Sequence, residues 1–403
     1  MAIEIISFFI AIIIGCIAGT ITGLSPGIHI NLVSVILISQ IDKFHNIPLI
    51  SLAIFIVSMS ITHTFIDFIP SIFLGAPEED TFLSILPGHQ MLLEGKGYQA
   101  FIITLYGSLF GIIAILLFTP LFIIFLPTLY SYLKLIMPFL LIFISLYIVL
   151  RADKILISLI IFLLAGLLGL LTFNNPIKEP LLPLLSGLFG ISSLVISLKF
   201  KTNPKKQKII PLKKIRIPKL ELLKSILAIS IFSPLCSFLP GIGSSHAATF
   251  GSEIVNLDKK GFLFMVGATN TIVMGLSYVT VYSILKSRTG TAAAVQELIK
   301  NISQNDLILI ILAIIIAGIA SFFIGISLAK IVSKIMNRVS YKYLTILIIS
   351  IVLIINIIFT NWLGLIVLIT SIFLGIFTIL SNSRRINLMA CLILPAIFYY
   401  LTN

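Results

Sequence analysis

Gly23-Leu24-Ser25-Pro26-Gly27-Ile28-His29 and Ser237-Phe238-Leu239-Pro240-Gly241-Ile242-Gly243 stand 214 residues apart, and each closes one apolar run and opens a shorter one. A Pro-Gly pair inside such a run interrupts the helical hydrogen-bond ladder, because proline has no amide hydrogen and its ring clashes with the preceding turn. In hydrocarbon, the freed backbone groups are tolerated only where protein buries them or an aqueous cavity solvates them. Proline also pre-sets the first turn of the next helix, and glycine lets a ligand approach the backbone. The exposed N-terminal amides, with their partial positive charge, suit an anion. A duplicated break therefore marks a candidate site if the surrounding runs lie in a membrane.

Composition says that they do. The chain is 59% hydrophobic and 10% charged, with a mean hydropathy of +1.19, whereas soluble domains carry about 25% charged residues. Apolar runs of roughly 17 to 25 residues, the length needed to cross hydrocarbon, follow one another along the chain. This excludes cytosolic enzymes, secreted disulfide scaffolds and nucleic-acid modules, so no nucleic-acid partner is expected. In a membrane chain the net charge of +13 sets topology instead. The first run carries Glu4 and has no basic leader or cleavage site, so it is expected to remain as structure. Cys16, Cys236 and Cys391 stand singly in apolar segments and fit buried small hydrophobes. No resident cofactor or metal is expected.

Fourteen helical elements are expected, seven on either side of a basic linker. The first seven run approximately 3–24, 26–40, 47–76, 97–127, 131–151, 154–173 and 180–199, and the second seven 222–238, 240–257, 261–286, 305–334, 341–359, 361–381 and 386–402. The domain organisation is thus 1–199 as a first repeat, 200–221 as a basic cytoplasmic linker and 222–403 as a second repeat. A second pair of similar stretches, Ser71–Gly75 and Ser283–Ser287, lies at nearly the same offset as the Pro-Gly pair. Placing the linker inside puts twenty-one Lys and Arg on the cytoplasmic side and six on the other. Both termini then lie outside the cell membrane and the two halves are inverted. The fold class is an all-α polytopic membrane protein with two inverted repeats of about seven helical elements each, whose Pro-Gly-broken re-entrant hairpins meet near the midplane.

Two such tips would cradle a carboxylate or phosphate between Ser25, Pro26, Gly27, His29 and Asn31 from one half and Pro240, Gly241, Gly243, Ser244, Ser245 and His246 from the other. The alternative at each tip is a tight surface loop between two ordinary spans. Ionisable residues inside spans are costly and are functional candidates by default. His63 and Asp67, four apart and so on one helical face, suit a proton relay or a coupling cation, with packing as the duller alternative. Thr269 and Asn270 offer neutral oxygens of the kind that ligate sodium beside unwound backbone. The coupling ion is left as Na+ or H+. Residues 77–97, opened by Glu78, Glu79 and Asp80, are too polar to span and are expected to form a cytoplasmic surface helix pair. No catalytic constellation accompanies them.

These residues resemble the large membrane subunit of the tripartite tricarboxylate transporters over most of the chain. Gly23–Gly27 and Leu239–Gly243 look like its paired turns, and Ile69-Pro70-Ser71-Ile72-Phe73-Leu74-Gly75-Ala76-Pro77 looks like its Ile-Pro-x-x-Leu-x-x-x-Pro stretch. Leu86–Gln90 through Gly95–Ala100 is similar to a Gly-containing segment of the family, and Gly267-Ala268-Thr269-Asn270-Thr271 to its Glu-Ala-Ala-Asn-Asn. The resemblance implies cation-coupled uptake of organic di- or tricarboxylates, with a small membrane subunit and a solute-binding protein as partners beside membrane lipids. A homodimer is also open to it. The chain departs from the family pattern at His29 and where Lys286-Ser287-Arg288-Thr289-Gly290 replaces an expected second Pro-Gly. Those cations suit either a multivalent anion or a plain outer loop. Two other classes stay open beside the carrier: a translocase for a lipid-linked phosphate such as polyprenyl phosphate, and an intramembrane lipid-modifying enzyme.

Overall fold

A chain this apolar has no solvent to satisfy its backbone, so each segment must close its own hydrogen bonds. The structure, a computed structural model, describes residues 2–25, 30–44, 47–74, 85–199, 205–239, 243–338 and 341–402, and among them the regular secondary structure is all helical, with no strand. The first part of the chain forms α1 (Ala2–Leu24), α2 (Ile30–Ser39), α3 (Leu49–Ile66), α4 (Ile85–Leu93), α5 (Gly97–Leu150) and α6 (Ile155–Phe173). It continues through α7 (Leu181–Leu185), a π-helical stretch (Ser186–Ile191) and α8 (Ser192–Lys199). The second part forms α9 (Lys219–Cys236), α10 (Ser244–Ile254), α11 (Lys259–Ile284), α12 (Gly290–Leu298), α13 (Gln304–Met336), α14 (Tyr341–Phe359), α15 (Trp362–Leu380) and α16 (Ala390–Thr402). Nine helices among the described residues are long and apolar enough to cross a membrane, which makes this a multi-pass membrane protein.

Three departures from the sequence expectation have local causes. Helical bonding runs unbroken from Gly97 to Leu150 through Pro120, Pro127 and Pro138, where two elements were expected. In apolar surroundings a proline costs one ladder bond but offers the backbone no better partner elsewhere. Of the helix pair expected between 77 and 97, α4 is described, and the part before residue 85 lies outside the described residues. The stretch after Lys286, expected as loop, contains α12, because Thr289 caps it by accepting from the Ala292 amide at 3.1 Å.

The linker is the third departure. It was expected only as a basic cytoplasmic linker, yet residues 205–218, with one 3-10 turn at Leu212–Lys214, form a strap tied across one end of the bundle. Gln207 is its hub: the side-chain oxygen accepts from the Gly97 amide at 2.8 Å, and the side-chain nitrogen donates to the Leu92 carbonyl at 2.9 Å. Its backbone exchanges bonds with the Asn337 side chain at the end of α13, 2.6 and 3.1 Å long. Gly95, at φ +81°, is where the strap crosses closest, and the Lys208 amide donates to its carbonyl at 3.0 Å. Beside it Glu94 accepts from Lys96 and Lys259, which hold its carboxyl below the ordinary carboxylate range. The lysines Lys205, Lys206 and Lys208 nevertheless stay exposed.

Two helices form the centre. In their most apolar windows 94% of α11 and 83% of α3 is buried, against 33% of α1. Helix α1 lies parallel to α3, with Gly15 against Ser58, Gly19 against Thr62 and Gly23 against Ile66. Helix α5 lies parallel to α11 with reciprocal small residues, so that a Cβ on Gly107 would overlap the Phe264 carbonyl and one on Gly267 the Thr104 carbonyl. Lipid competes equally for apolar side chains, so close backbone approach at small residues is what drives such packing. Gly267→Leu is accordingly expected to destabilise the fold by about 3 kcal/mol. A lower melting temperature and a smaller monodisperse fraction after detergent extraction would register it.

Candidate functional site

The polar residues of α3 and α11 are placed by helical periodicity. Ser60, His63, Thr64 and Asp67 follow one another at spacings that keep them on one side of α3. On α11, Thr269-Asn270-Thr271 stands 207 residues after Thr62-His63-Thr64, a register that the 214-residue Pro-Gly spacing conceals. All of these side chains are buried, Asp67 and Asn270 at 2% exposure and His63 at 3%.

The two helices meet in antiparallel register. Ser60 Oγ and Tyr278 OH lie 2.5 Å apart, Thr64 Oγ1 and Thr271 Oγ1 3.2 Å, and Asn270 Nδ2 donates to Asp67 Oδ2 at 2.8 Å. Neighbouring helices add to this centre. His63 Nδ1 is 3.1 Å from Thr22 Oγ1 on α1, Ser321 of α13 donates to Thr62 at 2.8 Å, and Ser233 of α9 donates to Thr269 at 3.2 Å. A carboxylate at this depth is costly without a proton or a cation beside it. Asn270 meets it with an N–H, which the carboxylate accepts, while the hydroxyls of Thr64 and Thr271 pair with each other one turn away.

Of the sequence-derived coupling residues, the structure joins Asp67 to Asn270 directly, puts His63 on the same stretch of α3, and engages Thr269 with α9. Of the anion cradle, Pro26, Gly27, His29, Pro240 and Gly241 lie outside the described residues, as do the side chains of Asn31 and His246 within α2 and α10. Ser25 is half-buried at the end of α1, its amide donating to the Thr22 carbonyl at 3.2 Å. Gly243 is buried just before α10, and Ser244 and Ser245 are buried within its first turn.

Both breaks nonetheless begin at the polar centre. A Cβ on Gly23 would come 3.2 Å from the Asp67 amide nitrogen, so α1 ends beside Asp67. Helix α9 ends one turn beyond Ser233, which is bonded to Thr269. Arg288, in the turn between α11 and α12, is half-buried. Sequence reasoning missed Thr22, Ser60, Thr64, Ser233, Thr271, Tyr278 and Ser321. The available signal was hydroxyls recurring every three or four residues in otherwise apolar helices.

A multi-pass helical bundle with a polar centre, beside which α1 and α9 end, defines a membrane-embedded protein built around an intramembrane polar cluster. The Tripartite tricarboxylate transporter TctA family matches residues 9–390. An uncharacterized protein of Methanocaldococcus jannaschii is 32% identical over 408 residues, covering 97% of this chain and 98% of that one. The chain therefore belongs to the TctA family and is a membrane component of a secondary transporter. No solved structure matches it.

Asn270→Leu removes the donor to Asp67 and is expected to cost about 2 kcal/mol, the range for a hydrogen bond to a buried charged group. Adding Asp67→Asn should recover part of that loss, and a double-mutant cycle on melting temperature would measure the coupling.

Proposed function

We propose that the chain is the translocating subunit of a carrier for a small organic anion, a di- or tricarboxylate, coupled to sodium or protons. Transport proceeds by alternating access between two inverted repeats, 1–199 and 222–403, joined by a cytoplasmic linker at 200–221, with both termini outside. The observation that carries this is the contact of Asp67 with Asn270 between antiparallel α3 and α11, at the level where α1 and α9 end in Pro-Gly breaks. Antiparallel crossing of helices that hold equivalent positions in the two halves is what inversion demands. Helix starts at the breaks favour negative charge.

In this carrier the anion sits between the tips, held by Ser25, Gly27, His29 and Asn31 and by Gly241, Gly243, Ser244, Ser245 and His246. His63, Asp67, Thr269 and Asn270 take the coupling ion. A small membrane subunit and a solute-binding protein complete the assembly, as the tripartite character of the family suggests.

Thermal stabilisation of the purified protein by citrate or succinate, each with and without sodium, tests this, since a ligand selective for the native state raises the melting temperature. A shift with carboxylate supports the carrier. A shift with polyprenyl phosphate alone would replace its cargo with a lipid-linked phosphate. In reconstituted transport, Gly27→Leu and Gly241→Leu should abolish uptake with expression retained, and Asp67→Asn should alter ion or pH dependence more than anion preference. Wild-type uptake in both glycine variants would overturn the site.

A further inference from the structure

The strap that follows α8 carries its charge on one side. Gln207 and Ile215 are buried, and Ile210, Leu212 and Ile217 pack against the core. Lys205, Lys206 and Lys208 before Pro211, and Lys213, Lys214 and Arg216 after it, are exposed. Side chains alternate across extended backbone, so the apolar residues face the bundle while the cations face away. Among the described residues none of these six cations has a carboxylate partner. The acids that flank the strap are taken, Glu94 by Lys96 and Lys259 and Glu221 by Lys224.

The position of this charge is fixed at the ends of three helices long and apolar enough to cross the membrane. Gln207 binds the amide of Gly97, the first residue of α5, and exchanges bonds with Asn337, just past α13. At the far end of the strap the Arg216 carbonyl accepts from Lys260 Nζ, at the start of α11, at 3.0 Å. In the middle Tyr106 OH of α5 donates to the Leu212 carbonyl at 3.4 Å. The chain then enters α9, whose Leu220, Leu223 and Leu227 are exposed. Six cations are thus held at the level where spanning helices end, next to apolar side chains with no protein over them.

We propose that the outer face of the strap is a binding surface for anionic phospholipid headgroups, with their phosphates among the six cations and their acyl chains along the exposed leucines of α9. Like charges fixed close together repel one another, and an anionic membrane surface relieves this while attracting each cation. A lipid phosphate fits better than a soluble polyanion, because the cations stand at the membrane boundary and continue into lipid-facing apolar side chains. Anchoring by Gln207 distinguishes this surface from a loose basic loop, since it holds the cations in one place instead of letting them disperse. Bound headgroups in turn hold the strap closed over the ends of α5, α11 and α13. None of this depends on what the protein transports.

The test titrates the purified full chain, in a neutral detergent, with phosphatidylglycerol, phosphatidylcholine or inorganic phosphate and follows the melting temperature, which a ligand selective for the native state raises. Phosphatidylglycerol should raise it and the other two should not, and the shift should shrink in molar salt. Lys205→Gln, Lys206→Gln and Lys208→Gln together should raise the half-saturating phosphatidylglycerol concentration roughly a hundredfold, at about fivefold per cation. Lys43→Gln, Lys178→Gln and Lys300→Gln, at exposed lysines outside the strap, change the net charge equally and should leave it unmoved. Gln207→Ala keeps every cation but frees the strap from α4 and α5, and should raise the same concentration by at least about fivefold. Asn337→Ala, which frees it from α13, serves if Gln207→Ala fails to fold. Wild-type affinity in the strap lysine variant, or an equal loss in the control set, would overturn the surface. Unchanged affinity in the Gln207 and Asn337 variants would overturn the anchored site and leave attraction by charge alone. Equal stabilisation by inorganic phosphate would assign the cations to a free anion and overturn the lipid.

Discussion

The antiparallel crossing of α3 and α11 is the constraint on which the remaining structure depends. In a bilayer an apolar helix gains little by leaving lipid for protein, so association rests on close packing and on polar contacts, each worth about 0.6 kcal/mol on average. Here the polar contacts are concentrated where these two helices meet, at Ser60 with Tyr278, Thr64 with Thr271 and Asp67 with Asn270. Their individual energies are small, but the alternative for each is an unpaired polar group in hydrocarbon. They consequently fix the register more than they add stability. The outer helices follow from that register, since α1 and α5 approach only where Gly19, Gly23, Gly107 and Gly111 leave room beside the polar positions.

What could be read from the sequence divides along the same line. Helix ends were legible to within a few residues at α1, α6, α9, α13 and α14, because the polar loops and charge clusters that end them contrast with the apolar runs. The break expected near 127 was not, since proline in a membrane helix no longer implies an end. Nor was the site fully legible. Asp67, His63, Thr269 and Asn270 stand out as the costly groups in apolar helices, whereas Ser60 or Thr64 alone is unremarkable in a composition rich in both. Their meaning comes from partners more than 200 residues away in the chain. Gln207 failed for another reason: within a lysine-rich linker it reads as surface, and only the glycine at 95 that lets the strap close over α4 and α5 makes it a buried hub.

The packing also separates what is joined from what is distinct. A second apolar cluster, Ile191, Leu194, Ile348, Val352 and Leu368, holds α14 and α15 against the 181–199 segment apart from the main core. In it Gly375 lies against the Leu188 carbonyl, much as Gly169 of α6 lies against Cys391 at the start of α16. Each outer helix of one half thus packs on the last element of the other.

This arrangement bears on how the proposed carrier can move. Contacts between α3 and α11 bind the two halves at their centre, and the Gln207 strap binds them again at one end by joining α4 and α5 to the end of α13. Rocking one half as a rigid body against the other would break both sets at once, and the buried hydroxyls would be left unpaired in a dry core. A movement that keeps α3 and α11 together and shifts the short segments around the Pro-Gly breaks needs neither loss.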